Sequence, residues 1–98
     1  MGLKLGEKEN ELYQRVDEVL HYIWDPIGVS GVPGARDEYY SYLPHVFDLL
    51  KQGADDIKIA DYLGKVTSGS MGMETNRNRD LEVAEVLTGW RDNLLDTT

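Results

Sequence analysis

The stretch "NELYQRVDEVLHYIWDP", Asn10 to Pro26, decides the fold class. Leu12, Val16, Val19, Leu20 and Ile23 recur at intervals of three and four, which places them on one face of an α-helix, with Tyr13 and Trp24 beside them. Asn10 suits an N-cap, and Glu11 suits the positive end of the helix dipole. Pro26 limits the far end, because it disfavours the α conformation at Asp25. The spacing predicts a first helix over residues 10–24. Residues 1–9 are polar and include Gly2 and Gly6, so they are expected to form a flexible lead-in to a single helical domain over 10–96.

Beyond the helix runs "DPIGVSGVPGA", a loop by its glycines and prolines but too apolar to stand in water. Ile27, Val29 and Val32 are expected to fold back onto the helices, as in a compact Ω-loop. Helical spacing resumes at Arg36, with Asp37 and Glu38 in a first turn and Tyr39, Tyr42, Leu43, Val46, Phe47 and Leu50 as the apolar stripe. Pro44 lies inside that stripe. Because the phase does not change there, the spacing predicts one kinked helix over 36–52, in preference to a separate turn with Pro44 opening the next helix.

Gly53 is placed to end that helix, and Asp55 or Asp56 to cap a third over 55–67. Ile59, Ala60, Leu63 and Val66 form its stripe; Gly64 weakens it by about 1 kcal/mol relative to alanine, which suggests close packing there. "TSGSMGMETNRN" is a second loop. A fourth helix over 79–94 carries Leu81, Ala84, Leu87 and Trp90, with Val83 and Val86 widening the face. No segment alternates long enough to be a strand. The expectation is an all-α, compact four-helix domain with a structured loop between helices 1 and 2. Its predicted core is Leu12, Val16, Val19, Leu20, Ile23, Leu43, Val46, Phe47, Leu50, Ile59, Leu63, Val66, Leu81, Ala84 and Leu87.

Ninety-eight residues with 41% hydrophobic content are enough for one modest core. The absence of cysteine removes disulfides, thiolate zinc sites, iron–sulfur clusters and cysteine nucleophiles. A formal charge of −8 argues against binding nucleic acid or anionic membranes, and "NRNR" (76–79), the nearest basic cluster, is followed by Asp80, Glu82 and Glu85. A basic protein partner would instead be attracted. The N-terminal segment lacks the apolar region of a signal peptide, Gly6 defeats a myristoylation motif, and no apolar run approaches membrane-spanning length. The expected location is the cytoplasm.

Chemistry-bearing patterns are sparse. His21 and Asp25, four apart, could join Asp37 or Glu38 as metal ligands, but they form no recognised ligand motif, so no metal and no cofactor is expected. His45 has no evident catalytic partner, and Ser30, Ser41, Ser68 and Ser70 lack a nucleophile-elbow setting. "GVSGVPG" lacks the lysine of a phosphate-binding loop. The aromatic density is more informative. Tyr39 and Tyr42 fall on one side of a helix while Tyr40 points elsewhere, and tyrosine and tryptophan favour interfaces. The "SMGM" methionines offer an adaptable contact or fill gaps.

The segments "ELYQRVDEVLHYIWDPIGV", "ARDEYYSYLPHVFDLL", "IADYLGKV", "MGM" and "VAEVLTGW" resemble a group of small all-helical bacterial proteins of unknown function, similar to YugE-like families. Trp24-Asp25-Pro26 and Asp37-Glu38-Tyr39 carry the likeness most specifically, and it spans residues 11–90. It implies a helical fold and no activity, cofactor or catalytic residue.

Three functions compete. The leading one is a non-catalytic acidic protein-interaction module that neutralises a basic partner, as an immunity protein or antitoxin does. Next is a self-associating subunit, a homodimer in its simplest form, and last a small His/carboxylate metal-dependent enzyme. Trp24, Asp25, Arg36, Asp37, Glu38, Tyr39, Tyr40 and Tyr42 are the candidate binding residues. The same stretch also reads as a structural corner, in which Trp24 is buried and Asp25 accepts hydrogen bonds from the loop after it.

Overall fold

Helix α1 spans Glu7–Glu18 and continues as a π-helical turn over Val19–Trp24. A computed structural model of the chain describes residues 6–25, 28, 31, 32, 34, 35 and 38–95. Helix α2 covers Leu43–Lys51, and α3 covers Asp56–Lys65 with a π-helical turn over Val66–Ser70. Helix α4, Arg77–Leu95, is the longest and packs against all three others. The described residues contain no strand. The chain is an all-α four-helix domain.

Helix α1 starts earlier than its apolar stripe suggests. The Asn10 N–H donates to the Gly6 carbonyl at 2.8 Å, so Asn10 lies inside the helix and is not its cap. Glu7 and Glu9 occupy the turn where the dipole favours acids, and Lys51 of α2 pairs with Glu9 at 3.0 Å. Residues 7–9 are therefore helical, and Glu9 ties their turn to α2.

The other end of this helix contains the main departure from regular spacing. The Asp25 N–H donates to the Leu20 carbonyl at 3.0 Å, a five-residue step that widens the last turn. A wider turn delays the phase of the side chains. Trp24 consequently swings onto the buried face, while Ile23, expected in the core, is 41% exposed.

The second helix is not one kinked rod from residue 36. Tyr42 N–H bonds to the Tyr39 carbonyl at 3.0 Å and Leu43 N–H to Tyr40 at 3.3 Å, so residues 38–42 form tight turns. Pro44 falls in the first turn of α2, where its missing N–H breaks no intrahelical bond. Proline opens the helix here.

Gly53 ends α2 at φ +87°, with its N–H on the Leu50 carbonyl and Ala54 N–H on Leu49, the Schellman arrangement. Arg91 of α4 reinforces that end by donating to the Ala54 carbonyl at 2.6 Å. Asp55 caps α3 by accepting from Lys58 N–H at 2.9 Å. Asn76 similarly accepts from Arg79 N–H, so α4 begins at Arg77, two residues before the predicted start.

The core is one cluster contributed by all four helices. Besides Ile23, the predicted list errs at Leu81, which is only half-buried, whereas Val83 is fully buried. The inward stripe of α4 is Asp80, Val83, Ala84 and Leu87, rotated slightly from the expected Leu81, Ala84, Leu87 and Trp90. Gly64 faces the first turn of α4, but an added Cβ would lie 3.6 Å from Asp80 Oδ2 and 3.8 Å from Thr75 Cγ2. That is ordinary contact, so packing does not require glycine.

Candidate functional site

Trp24 and Asp25 close helix one with opposite roles. The Trp24 side chain is 2% exposed, packed against Tyr39 at a ring separation of 5.3 Å and edge-on to Tyr42 at 6.4 Å. Its indole N–H donates to Asp80 Oδ1 at 3.1 Å, which satisfies the one polar atom that burial would otherwise strand. Asp25 adopts a left-handed conformation, φ 30° and ψ 59°, uncommon outside glycine but tolerated by aspartate. Its Oδ1 accepts from the Gly28 N–H at 3.1 Å and from the Tyr39 hydroxyl at 2.7 Å. One carboxylate thus fastens both the start of the loop and the aromatic turn that ends it.

Tyr39 is buried by these contacts, while Tyr40 is 47% exposed and Glu38 beside it faces solvent. Tyr42 is half-buried at the core edge. The candidate binding set is therefore split: Trp24 and Tyr39 are internal supports, and Glu38 and Tyr40 are presented outward. Arg36 and Asp37 lie outside the described residues.

Asp80 is the residue that sequence reasoning missed. It is 3% exposed in the first turn of α4. Burial raises its carboxyl pKa above the ordinary 3.8, an effect opposed by the Trp24 hydrogen bond and by the charges of Arg77 and Arg79. A signal for it existed, since Asp80 stands three and four residues before Val83 and Ala84 and so shares their inward face. Arg79 is its counterpart at the surface. Its Nε and Nη2 donate to the Ile23 carbonyl at 3.1 and 2.7 Å, capping the end of helix one. Arg77 pairs with Asp61 of α3 at 2.6 Å, so both arginines of "NRNR" are engaged within the fold.

Around these groups lies a polar hollow of about 240 Å³, lined by Trp24, Asp25, Thr67, Glu74, Arg79 and Asp80 among others. Asp25 and Glu74 bring acidic groups to it and Arg79 a basic one, while the Asp80 carboxyl is almost wholly buried. The histidines stand apart from it. His21 is buried with its ring edge-on to Tyr22, and its Nδ1 has no hydrogen-bond partner among the described residues. Asp25, with its left-handed backbone, lies just outside the helical turn that carries His21. His45 is exposed and stacks on Tyr62 at 4.3 Å. No group of three or more metal-ligating side chains converges among the described residues, and none of their helices is long and apolar enough to cross a membrane. Compared with protein-family models, with curated proteins and with solved structures, the chain matches none.

Proposed function

We propose that the protein is a non-catalytic, acidic interaction module that binds a basic protein partner, in the manner of an immunity protein or antitoxin. The observation that carries this reading is the division of labour at the corner. Trp24, Asp25 and Tyr39 are locked by mutual packing and hydrogen bonds, and they hold Tyr40 and Glu38 outward on a rigid mount. An exposed tyrosine fixed in this way buries a large area on contact while losing little conformational freedom. The net charge of −8 supplies long-range attraction to a positive surface. The likeness of the "WDP" and "DEY" segments to small bacterial YugE-like proteins, and a cytoplasmic location, form part of the same proposal.

The test is capture of partners from the native cell with the untagged surface intact, followed by mass spectrometry of what stays bound. A basic protein retained by the native chain and lost on Tyr40→Ala or Glu38→Lys is the expected result. Retention of that protein by both variants would remove the corner as the contact.

A further inference from the structure

A second surface lies on the other side of Arg79 from the polar hollow. Tyr22, Ile23 and Val86 are 59%, 41% and 38% exposed, and they meet across a groove of about 440 Å³ between the end of helix one and α4. Val83 lines it, Glu82 stands on its rim, and Arg79 forms the wall it shares with the hollow that contains Asp25, Glu74 and Asp80. Exposed apolar side chains gathered in one groove, with polar groups at the rim, mark a contact surface more than scattered ones do. Two helices flanking an apolar channel are also the geometry that receives a third, amphipathic helix.

We infer, building on the reading of the protein as an acidic interaction module, that this groove and the adjoining hollow together dock a basic amphipathic helix of the partner. The apolar side of that helix lies on Ile23 and Val86. A lysine or arginine next to it reaches past Arg79, its aliphatic stem on the groove and its charged head beside Asp25 and Glu74. Charge decides the occupant. A second copy of this chain would bring −8 against −8, whereas a positive segment is attracted by the hollow and by Glu82. Arg79 does not cancel this, because Asp25 and Glu74 in the hollow and Glu82 in the groove outnumber it.

The probe is a synthetic amphipathic helix with a leucine stripe flanked by lysines, set beside the same stripe flanked by glutamates. Titration is followed by backbone amide chemical shifts of the full chain. The lysine-flanked peptide is expected to saturate, to shift the amides of Ile23, Val86 and Glu74, and to weaken at about 1 M salt, where the Debye length is about 3 Å. Val86→Glu and Glu74→Lys, both at exposed positions, are each expected to weaken it about tenfold or more, with helicity by circular dichroism unchanged. Equal binding of the glutamate-flanked peptide, no saturable binding, or a dimer that covers Val86 overturns the inference. Shifts confined to residues 38–42 also overturn it, while leaving the interaction reading in place. Loss of a captured native partner on Tyr40→Ala but not on Val86→Glu separates the two in the same way.

Discussion

The indole N–H of Trp24 and the carboxylate of Asp80 meet at 3.1 Å across 56 residues of sequence, joining the last turn of helix one to the first turn of α4. Both side chains are almost wholly buried. The bond thus satisfies a donor that has no access to water, and it fixes the wall between the polar hollow and the core. Losing one partner would leave the other buried and unpaired, which costs about 1–3 kcal/mol.

Asp80→Asn separates the hydrogen bond from the charge. Because folding raises this carboxyl pKa, the native state binds more protons than the unfolded state between the ordinary 3.8 and the raised value. The contribution of Asp80 to stability is therefore full below 3.8 and declines as pH rises through the folded pKa. The asparagine variant keeps an acceptor for Trp24 and lacks this decline. Urea denaturation is expected to show its stability relative to the native chain to be greater at pH 7 than near pH 4. A constant difference at both pH values would contradict the assignment.

Asp25 combines an unusual backbone conformation with two accepted hydrogen bonds. Asp25→Ala loses both bonds, and with them the side-chain bonding that lets aspartate adopt the left-handed region, a conformation that costs about 1–2 kcal/mol for an ordinary residue. With the bonds included, a loss of about 2–4 kcal/mol is expected. Asparagine tolerates the conformation and retains an acceptor, so Asp25→Asn should lose about 1 kcal/mol or less. Thermal denaturation of the pair reads the difference, and equal melting temperatures would dismiss the corner role.

Phe47 is buried on α2 and meets Tyr13 of α1 edge-on at 5.0 Å. Phe47→Ala should cost about 3–5 kcal/mol, a large share of the stability of a domain this size. Chemical denaturation measures it directly, and a loss below about 1 kcal/mol would mean that the α1–α2 contact is not part of the cooperative core.

Gly64 is helical without a steric need to be glycine, since an added Cβ finds only ordinary contacts with Asp80 and Thr75. Gly64→Ala is expected to raise stability by about 0.5–1 kcal/mol through reduced unfolded-state freedom. A loss instead would show that the approach to the Asp80 carboxylate is tighter in solution.

Zinc is expected to be substoichiometric in protein purified without an affinity tag. His45 stacks on Tyr62, and His21 is buried in the widened turn away from any converging acid pair among the described residues. Elemental analysis checks this; one equivalent, lost on His21→Ala, would revive the metal-dependent reading.

The all-α class, the four helices and most of the core were legible in the sequence, because burial of one helix face imposes a three-and-four spacing that needs no partner to be seen. Gly53 and Asp55 were legible for the same local reason: a left-handed turn and an N-cap each depend on one residue's own chemistry. So was the corner's economy, in which Trp24 turns inward and Asp25 binds the loop. Tertiary structure decided the rest. The five-residue step from Leu20 to Asp25 turned Ile23 out of the core, and Asp80, the hydrogen-bond partner of Trp24, lies on another helix. The apolar stripe across Pro44 did not reveal that turns replace the helix before it, since three-residue turns repeat nearly as a helix does. Arg79 on the Ile23 carbonyl, and the groove and hollow it divides, exist only once helix one and α4 are side by side. Periodicity marks the apolar side of each helix; only packing between helices sets its final rotation and determines which polar groups meet across them.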